Sequence, residues 1–424
     1  MAANAEAMPT STAAPEPAVE RLPRPAVGRA LNRLAGVDGL RAAAASWVVL
    51  FHIHAFSGAH LPFRPLDFFA RSGSTGVSLF LVISGFCLYL PFAGGKGARF
   101  KTSTFLIRRA RRLVPAYYVS IAFALGLNVI GGKNLGFPSL SPTDVAWQLA
   151  THMTMLHTFF VSTFYTLNGA YWSLGLEWQL YLALPLLILG ARRFGLVPTL
   201  VAAVTVNVVY RLGIAWAGAR GWLPGGLVQT VVLPNLLPGR WAEFVFGMAV
   251  AELFSRGRLQ RLPGLAMYLW VPMLGVAVAT VGLPLSHLAF GAVFSLLLVA
   301  ALTDGNIVYR IFAWRPLVAL GIMSYSLYLV HQPMVQALAF VFRTDLGLSP
   351  NMTFVMLVAA LPLVLAVAWA LFVLVERYTL TSRPLEITGW ASAALFPSWG
   401  LPVRAAVSAG ESPEVKAGIG ARPS

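Results

Sequence analysis

Charge is what this sequence has least of. Only 11% of its 424 residues are Asp, Glu, Lys or Arg, about half the share found in a soluble domain. So few charges exclude an ordinary water-soluble fold. Cysteine is nearly absent too. Cys87 is the single thiol, which rules out an intrachain disulfide and a cysteine metal cage; inside an apolar run it reads as a small core residue. The first 35 residues, rich in Ala, Pro and Arg, contain no compact apolar stretch before a cleavage site, so a cleaved signal peptide is not expected.

What remains is apolar. Hydrophobic residues make up 58% of the chain and mean hydropathy is +0.72. Apolar runs recur at the length of roughly 18 or more residues needed to cross a hydrocarbon core of about 30 Å. The expected fold class is therefore all-α, a polytopic integral membrane protein of about ten transmembrane helices. Candidate spans lie near 39–56, 76–92, 115–131, 171–190, 196–217, 238–255, 266–283, 285–303, 317–342 and 352–375. Residues 1–35 and 386–424 read as disordered cytoplasmic tails flanking a membrane domain at 36–385.

Ten spans put both termini on one side, and the basic residues choose which. With the termini in the cytoplasm, the outer connections hold only Arg64, Arg71, Lys133, Arg220, Arg240 and Arg343, while the inner ones hold most of the rest. Both termini are expected to be cytoplasmic, in the plasma membrane. The net charge of +16 is thus membrane-side patterning, and no nucleic acid is expected as a partner. Residues 143–161 are apolar but carry Asp144, Gln148, His152 and His157, which suits an interfacial or re-entrant helix at the outer surface better than a span.

Ionisable groups inside a bilayer are costly, so each is a functional candidate. Arg41 and His52 are eleven residues apart, which leaves them about 20° apart around one helix and about 16 Å apart along it. Arg41 would sit near the cytoplasmic end and His52 beyond the middle. A neutral imidazole at that depth can act as a general base on a hydroxyl, or simply pack through a hydrogen bond. His54 points to nearly the opposite side, so no metal site is expected. Glu177 and His331 fall at the depth of His52, with Glu243 slightly nearer the outer surface. Arg211 lies near the outer end of its span and reads as structural. Arg108, Arg109, Arg111 and Arg112 crowd one cytoplasmic edge, where they suit either phosphate or lipid headgroups.

In order along the chain stand VDGLRAAAASWVVLFHIH, TGVSLFLVISGF, RRARRLVPAYY, NGAYWSLGLEWQLYLALPLL, GRWAEFVFGM, LGIMSYSLYLVHQP and a degraded closing VERYTLTSRP. This series resembles the acyltransferase-3 family of bacterial membrane acyltransferases. The resemblance implies transfer of an acyl group from acyl-CoA, as cosubstrate and with no bound cofactor, to a hydroxyl of a carbohydrate, glycolipid or macrolide acceptor. It implies His52 as base, with Arg41 and Glu177 in the catalytic group. It further implies acyl-CoA binding by Arg108, Arg109, Arg111 and Arg112, and acceptor-holding or supporting roles for Trp172, Glu243 and His331. Intramembrane His, Glu and Arg also occur in proton-coupled carriers, so the competing expectation is a transporter or flippase of a lipid-linked sugar.

Overall fold

A chain this apolar can satisfy its backbone amides in lipid only within helices or closed barrels. The computed structural model describes residues 24–95 and 100–380, with side chains from Leu34 onward. Among the described residues every regular element is helical. Residues 1–23 of the expected N-terminal tail, and everything after residue 380, lie outside the described residues. The rest of the N-terminal tail, 24–35, continues the first helix instead, where Ala, Leu and Arg favour it.

The main helices are α1 (Arg24–Ser57), α2 (Arg64–Arg71), α3 (Gly76–Tyr89), α4 (Thr102–Gly126), α5 (Pro142–Met153), α6 (Trp172–Phe194) and α7 (Leu196–Ala219). They continue as α8 (Leu237–Ser255), α9 (Trp270–Ala279), α10 (Ser286–Leu302), α11 (Arg315–Ile322), α12 (Ser324–Phe340), α13 (Pro350–Ala359) and α14 (Leu361–Leu371). Among the described residues six stretches are long and apolar enough to cross a membrane: Leu34–Ser57, Arg64–Gly95, Thr102–Leu135, Trp172–Phe194, Leu196–Ala219 and Leu361–Thr379.

The other expected spans take a different form. Residues 238–255 form α8, but Arg240, Glu243 and Glu252 interrupt its apolar character. Residues 317–342 divide at Met323 into α11 and α12. Residues 352–375 divide at Ala360, because Pro362 lacks an amide hydrogen and its ring crowds the preceding turn. Pro185 and Pro333 lie within α6 and α12.

α3 is the central helix. From Gly76 to Tyr89 every residue is buried except Phe80, Ser84 and Cys87. It packs most closely on α8, backbone against backbone. A Cβ on Gly85 would lie 1.9 Å from the Phe244 carbonyl oxygen, and one on Gly247 would lie 1.9 Å from that of Val82. Small residues at such crossings let membrane helices approach this closely.

Residues 143–161 do not form a long helix. α5 has 12 residues, well short of the roughly 20 a span requires. Ser141 and Asp144 cap its start reciprocally, with the Asp144 amide donating to Ser141 Oγ at 3.2 Å and the Ser141 amide donating to Asp144 Oδ2 at 3.0 Å. Those Ser141 bonds hold the Asp144 carboxyl below the usual carboxylate range. Met155, at φ 59°, turns the chain back, and the His157 ring stacks on His152 with centroids 4.3 Å apart.

Candidate active site

The two deepest histidines meet. His331 Nδ1 lies 2.9 Å from the Tyr328 carbonyl oxygen and 3.1 Å from that of Leu327. Only a protonated nitrogen can make such contacts, so Nδ1 carries the hydrogen and Nε2 is an acceptor. His52 Nδ1 sits 3.2 Å from that Nε2 and 2.9 Å from the Val48 carbonyl oxygen. It must therefore be the donor to both. The hydrogen-bond network thus assigns the tautomer of each ring and leaves the lone pair of His52 on Nε2. His331 is fully buried, whereas the His52 ring is partly accessible. A neutral imidazole with its orientation fixed and its second nitrogen open is the form a general base requires.

Below this pair runs an accessible polar stripe. Phe80, Ser84 and Cys87 follow one another at i, i+4 and i+7, so they share one face of α3. Each meets a different partner. The Phe80 ring lies edge-on to Tyr328 at 5.9 Å. Ser84 Oγ donates to Glu177 Oε1 at 3.1 Å. Cys87 Sγ receives a hydrogen bond from Arg41 at 3.1 Å. On a helix otherwise buried all round, these three residues are partly accessible and face other side chains. The seven steps from Phe80 to Cys87 give about 10 Å of rise.

The lower end is cationic. Arg41 is ion-paired with Asp38, and Arg112 lies within electrostatic reach of Arg41, Arg109, Glu376 and Tyr181. The Arg109 guanidinium lies 5.5 Å from the Phe105 ring centre and 6.0 Å from that of Tyr181. The expected four-arginine cluster is therefore divided. Arg109 and Arg112 turn inward as an i, i+3 pair, and Arg108 and Arg111 are exposed. Glu177 joins the two ends, since Tyr181 donates to it at 2.5 Å. It bonds Ser84 and Tyr181 rather than His52. Its neighbour one turn away, Ser173, shares a 2.5 Å bond with the Tyr328 hydroxyl, and Tyr328 in turn lies 5.5 Å from the His331 ring.

Glu243 belongs to a separate cluster. Both its oxygens accept from Arg240, at 2.6 and 3.0 Å. Arg240 also donates to Asn235 Oδ1 at 2.9 Å and Ser78 Oγ at 3.1 Å. Its guanidinium lies 5.7 Å from the Trp172 ring. Arg240 is thus a buried residue of α8, where the positive-inside reading had counted it among the outer charges. Arg211 binds the carbonyl oxygens of Pro284 at 2.5 Å and Pro234 at 2.9 Å, a structural arrangement. His54 faces away from the dyad and bonds Asp67 at 2.9 Å.

Three participants were missed in the sequence. Tyr328 stands three residues before His331, one turn away. Glu376 lies just past the expected end of the last span, yet it is fully buried and accepts from the Ser326 amide at 3.2 Å and hydroxyl at 2.5 Å. The Phe80–Ser84–Cys87 stripe was visible only as non-aliphatic residues at helical spacing.

The model of the acyltransferase domain matches residues 34–373. The chain belongs to the acyltransferase-3 family. Among the relatives of this chain, the peptidoglycan O-acetyltransferase OatA of Listeria monocytogenes is 25% identical over 70% of this chain and 49% of its own. The exopolysaccharide production protein ExoZ of Rhizobium meliloti is 27% identical over 67% of this chain and 80% of its own. The O-acetyltransferase OatA of Staphylococcus aureus is 23% identical over 71% and 50%. The chain spans about half the length of the two OatA relatives. No solved structure matches it. Six apolar helices and this family membership make it a multi-pass membrane protein.

Proposed function

We propose that this protein is a membrane-bound O-acyltransferase that moves an acyl group from acyl-CoA to a hydroxyl of a carbohydrate or glycosylated acceptor, with His52 as general base. The observation that carries the reading is the accessible stripe on α3. Its Cys87 end meets Arg41, and its Phe80 end meets Tyr328, which adjoins His331 of the dyad. The relatives' names, which mention peptidoglycan and exopolysaccharide, support a carbohydrate acceptor; a glycolipid or macrolide offers the same hydroxyl chemistry.

In this reading the chain crosses the plasma membrane ten times with both termini in the cytoplasm, and membrane lipids surround it. Acyl-CoA docks from the cytoplasm. Arg41, Arg109 and Arg112 bring guanidinium groups from two helices to this end, which an incoming phosphate can meet with bidentate bonds. Arg108 and Arg111 meet the outer part of the donor or lipid headgroups. The thioester arm rises past Cys87, Ser84 and Glu177 toward the dyad. His52 Nε2 takes the acceptor hydroxyl proton as the oxygen bonds to the thioester carbon. The carbon–sulfur bond breaks, and the proton passes to the departing thiolate. His331 Nε2, accepting from His52 Nδ1–H, steadies the imidazolium between those steps. Trp172, Arg240 and Glu243 support the outer, acceptor-facing side.

Purified protein in nanodiscs, given acetyl-CoA and an oligosaccharide, tests this by thiol release. Turnover in wild type, lost in correctly inserted His52→Ala, is expected. Full activity in that variant would remove His52 from the mechanism. Transport of a lipid-linked sugar without thioester consumption would favour the carrier. Acylated His52, trapped without acceptor, would replace direct attack with a two-step relay.

A further inference from the structure

The segment between α5 and α6 buries two histidines that the dyad does not use. Their rings stack 4.3 Å apart with 8° between the planes. His152 Nδ1 lies 2.8 Å from the Gln148 carbonyl oxygen, and His157 Nε2 lies 3.0 Å from that of Tyr171. Each neutral ring therefore spends its one hydrogen on a backbone oxygen. Among the described residues His152 Nε2 and His157 Nδ1 are buried without a partner, and a second proton would have to land on one of them. The parallel rings cannot share it, because an N–H in one plane points alongside the other ring rather than at its nitrogen. Between the two rings the chain turns at Met155, held in the left-handed region at φ 59°, a conformation that costs energy for a residue with a side chain.

The groups facing the stack give a charge there no support. From α6 the Tyr171 ring lies 6.1 Å from His152, and its hydroxyl donates to Ser120. From α4, Tyr117 meets Tyr171 edge-on at 5.0 Å, and the Tyr118 hydroxyl donates to the Met153 carbonyl oxygen. Asp144 is engaged with Ser141 at the exposed start of α5. Among the described residues no carboxylate steadies a charge on either ring. Yet these residues hold the start of α6. His157 binds the carbonyl just before that helix. A Cβ on Gly175 would lie 2.5 Å from Thr158 Cγ2 and 3.2 Å from His157 Cε1, and Gln179 donates to Thr158 Oγ1 at 3.1 Å. On the same two turns Ser173 bonds Tyr328, whose ring adjoins His331.

We propose that the His152–His157 stack is an acid-sensitive latch: proton uptake parts the rings, frees the first turns of α6 and loosens Ser173 from Tyr328 beside the dyad. Only the effect on activity rests on the acyltransferase reading. Burial pulls His157 down to about 4 and His152 to about 3, against about 6.5 once the segment opens. Acid therefore favours the open form, by about 500-fold between pH 7 and pH 5.

The full chain in nanodiscs tests this by hydrogen exchange at residues 174–180 and by thiol release. After allowance for intrinsic exchange rates, wild-type protection at 174–180 should fall from pH 7 to pH 5 by at least about tenfold and at most about 500-fold. It should recover at pH 7, and thiol release should fall and recover with it. His152→Phe should cut the ceiling to about 20-fold, and adding His157→Phe should abolish the response. Titration of His52 alone would lower thiol release with protection at 174–180 unchanged, a wild-type result that would overturn the latch. An undiminished exchange response in folded His152→Phe would also overturn it. The expected exchange response in protein that consumes no acyl-CoA would keep the latch and remove the catalytic reading.

Discussion

In the proposed mechanism His52 and His331 divide the work of one base between two rings. His331 contributes only an acceptor nitrogen, so its loss should cost rate rather than binding. His331→Ala is expected to lower kcat about 100-fold with donor KM nearly unchanged, and His52→Ala to lower it by about 100-fold to 10,000-fold; steady-state thiol release measures both. The Arg240–Glu243 pair answers to stability instead. With Glu243 fully buried and Arg240 nearly so, removing one partner strands a charge. Arg240→Ala or Glu243→Ala should cost about 3–5 kcal/mol, and Arg240→Met with Glu243→Leu together should cost much less; thermal unfolding in detergent reads the difference. At this scale the sequence was informative about depth and poor on direction. Arg41, His52 and His331 could be placed along their helices by counting residues, and the histidines do meet. Nothing in the counting showed that Arg240 would claim Glu243, or that Glu177 would face Ser84 and Tyr181.

Among the described residues six apolar stretches are long enough to span, and the other expected spans are shorter, more charged or divided. Met323 and Ala360 divide two apolar runs that read as continuous, and α3 shows its role only once its neighbours surround it. Its crossing with α8 leaves no room for a Cβ. Gly85→Ala or Gly247→Ala should destabilise by about 3 kcal/mol or more, seen as loss of folded protein on size-exclusion in detergent. α5 offers a different test. Burial pulls His152 down to about 3 and His157 to about 4, against about 6.5 in an unfolded chain. Both are neutral at pH 7 in either state. As pH falls below about 6.5 the unfolded segment binds protons that the folded one refuses, so stability is lost down to about pH 3. Hydrogen exchange across 142–171 should accelerate over that window, and His152→Phe with His157→Phe should remove the dependence.

For the whole molecule, the low charge and repeated apolar runs sufficed to expect a helical membrane protein, and the ordered motifs sufficed for its family. Which side chains of different helices meet was not legible, because azimuths between helices depend on packing partners far apart in sequence. The proposed ten-span topology places residue 147 outside and residue 108 inside. In a Cys87→Ser background, a cysteine at 147 should react with an impermeant thiol reagent added to intact cells and one at 108 should not. The central claim is that donor enters at the arginine end and reacts at His52. Proteoliposomes of known orientation, supplied with acetyl-CoA on one face at a time, test it most directly. Turnover should appear only when acetyl-CoA reaches the face bearing Arg109 and Arg112, and should vanish in His52→Ala. Equal turnover from the opposite face would contradict the account.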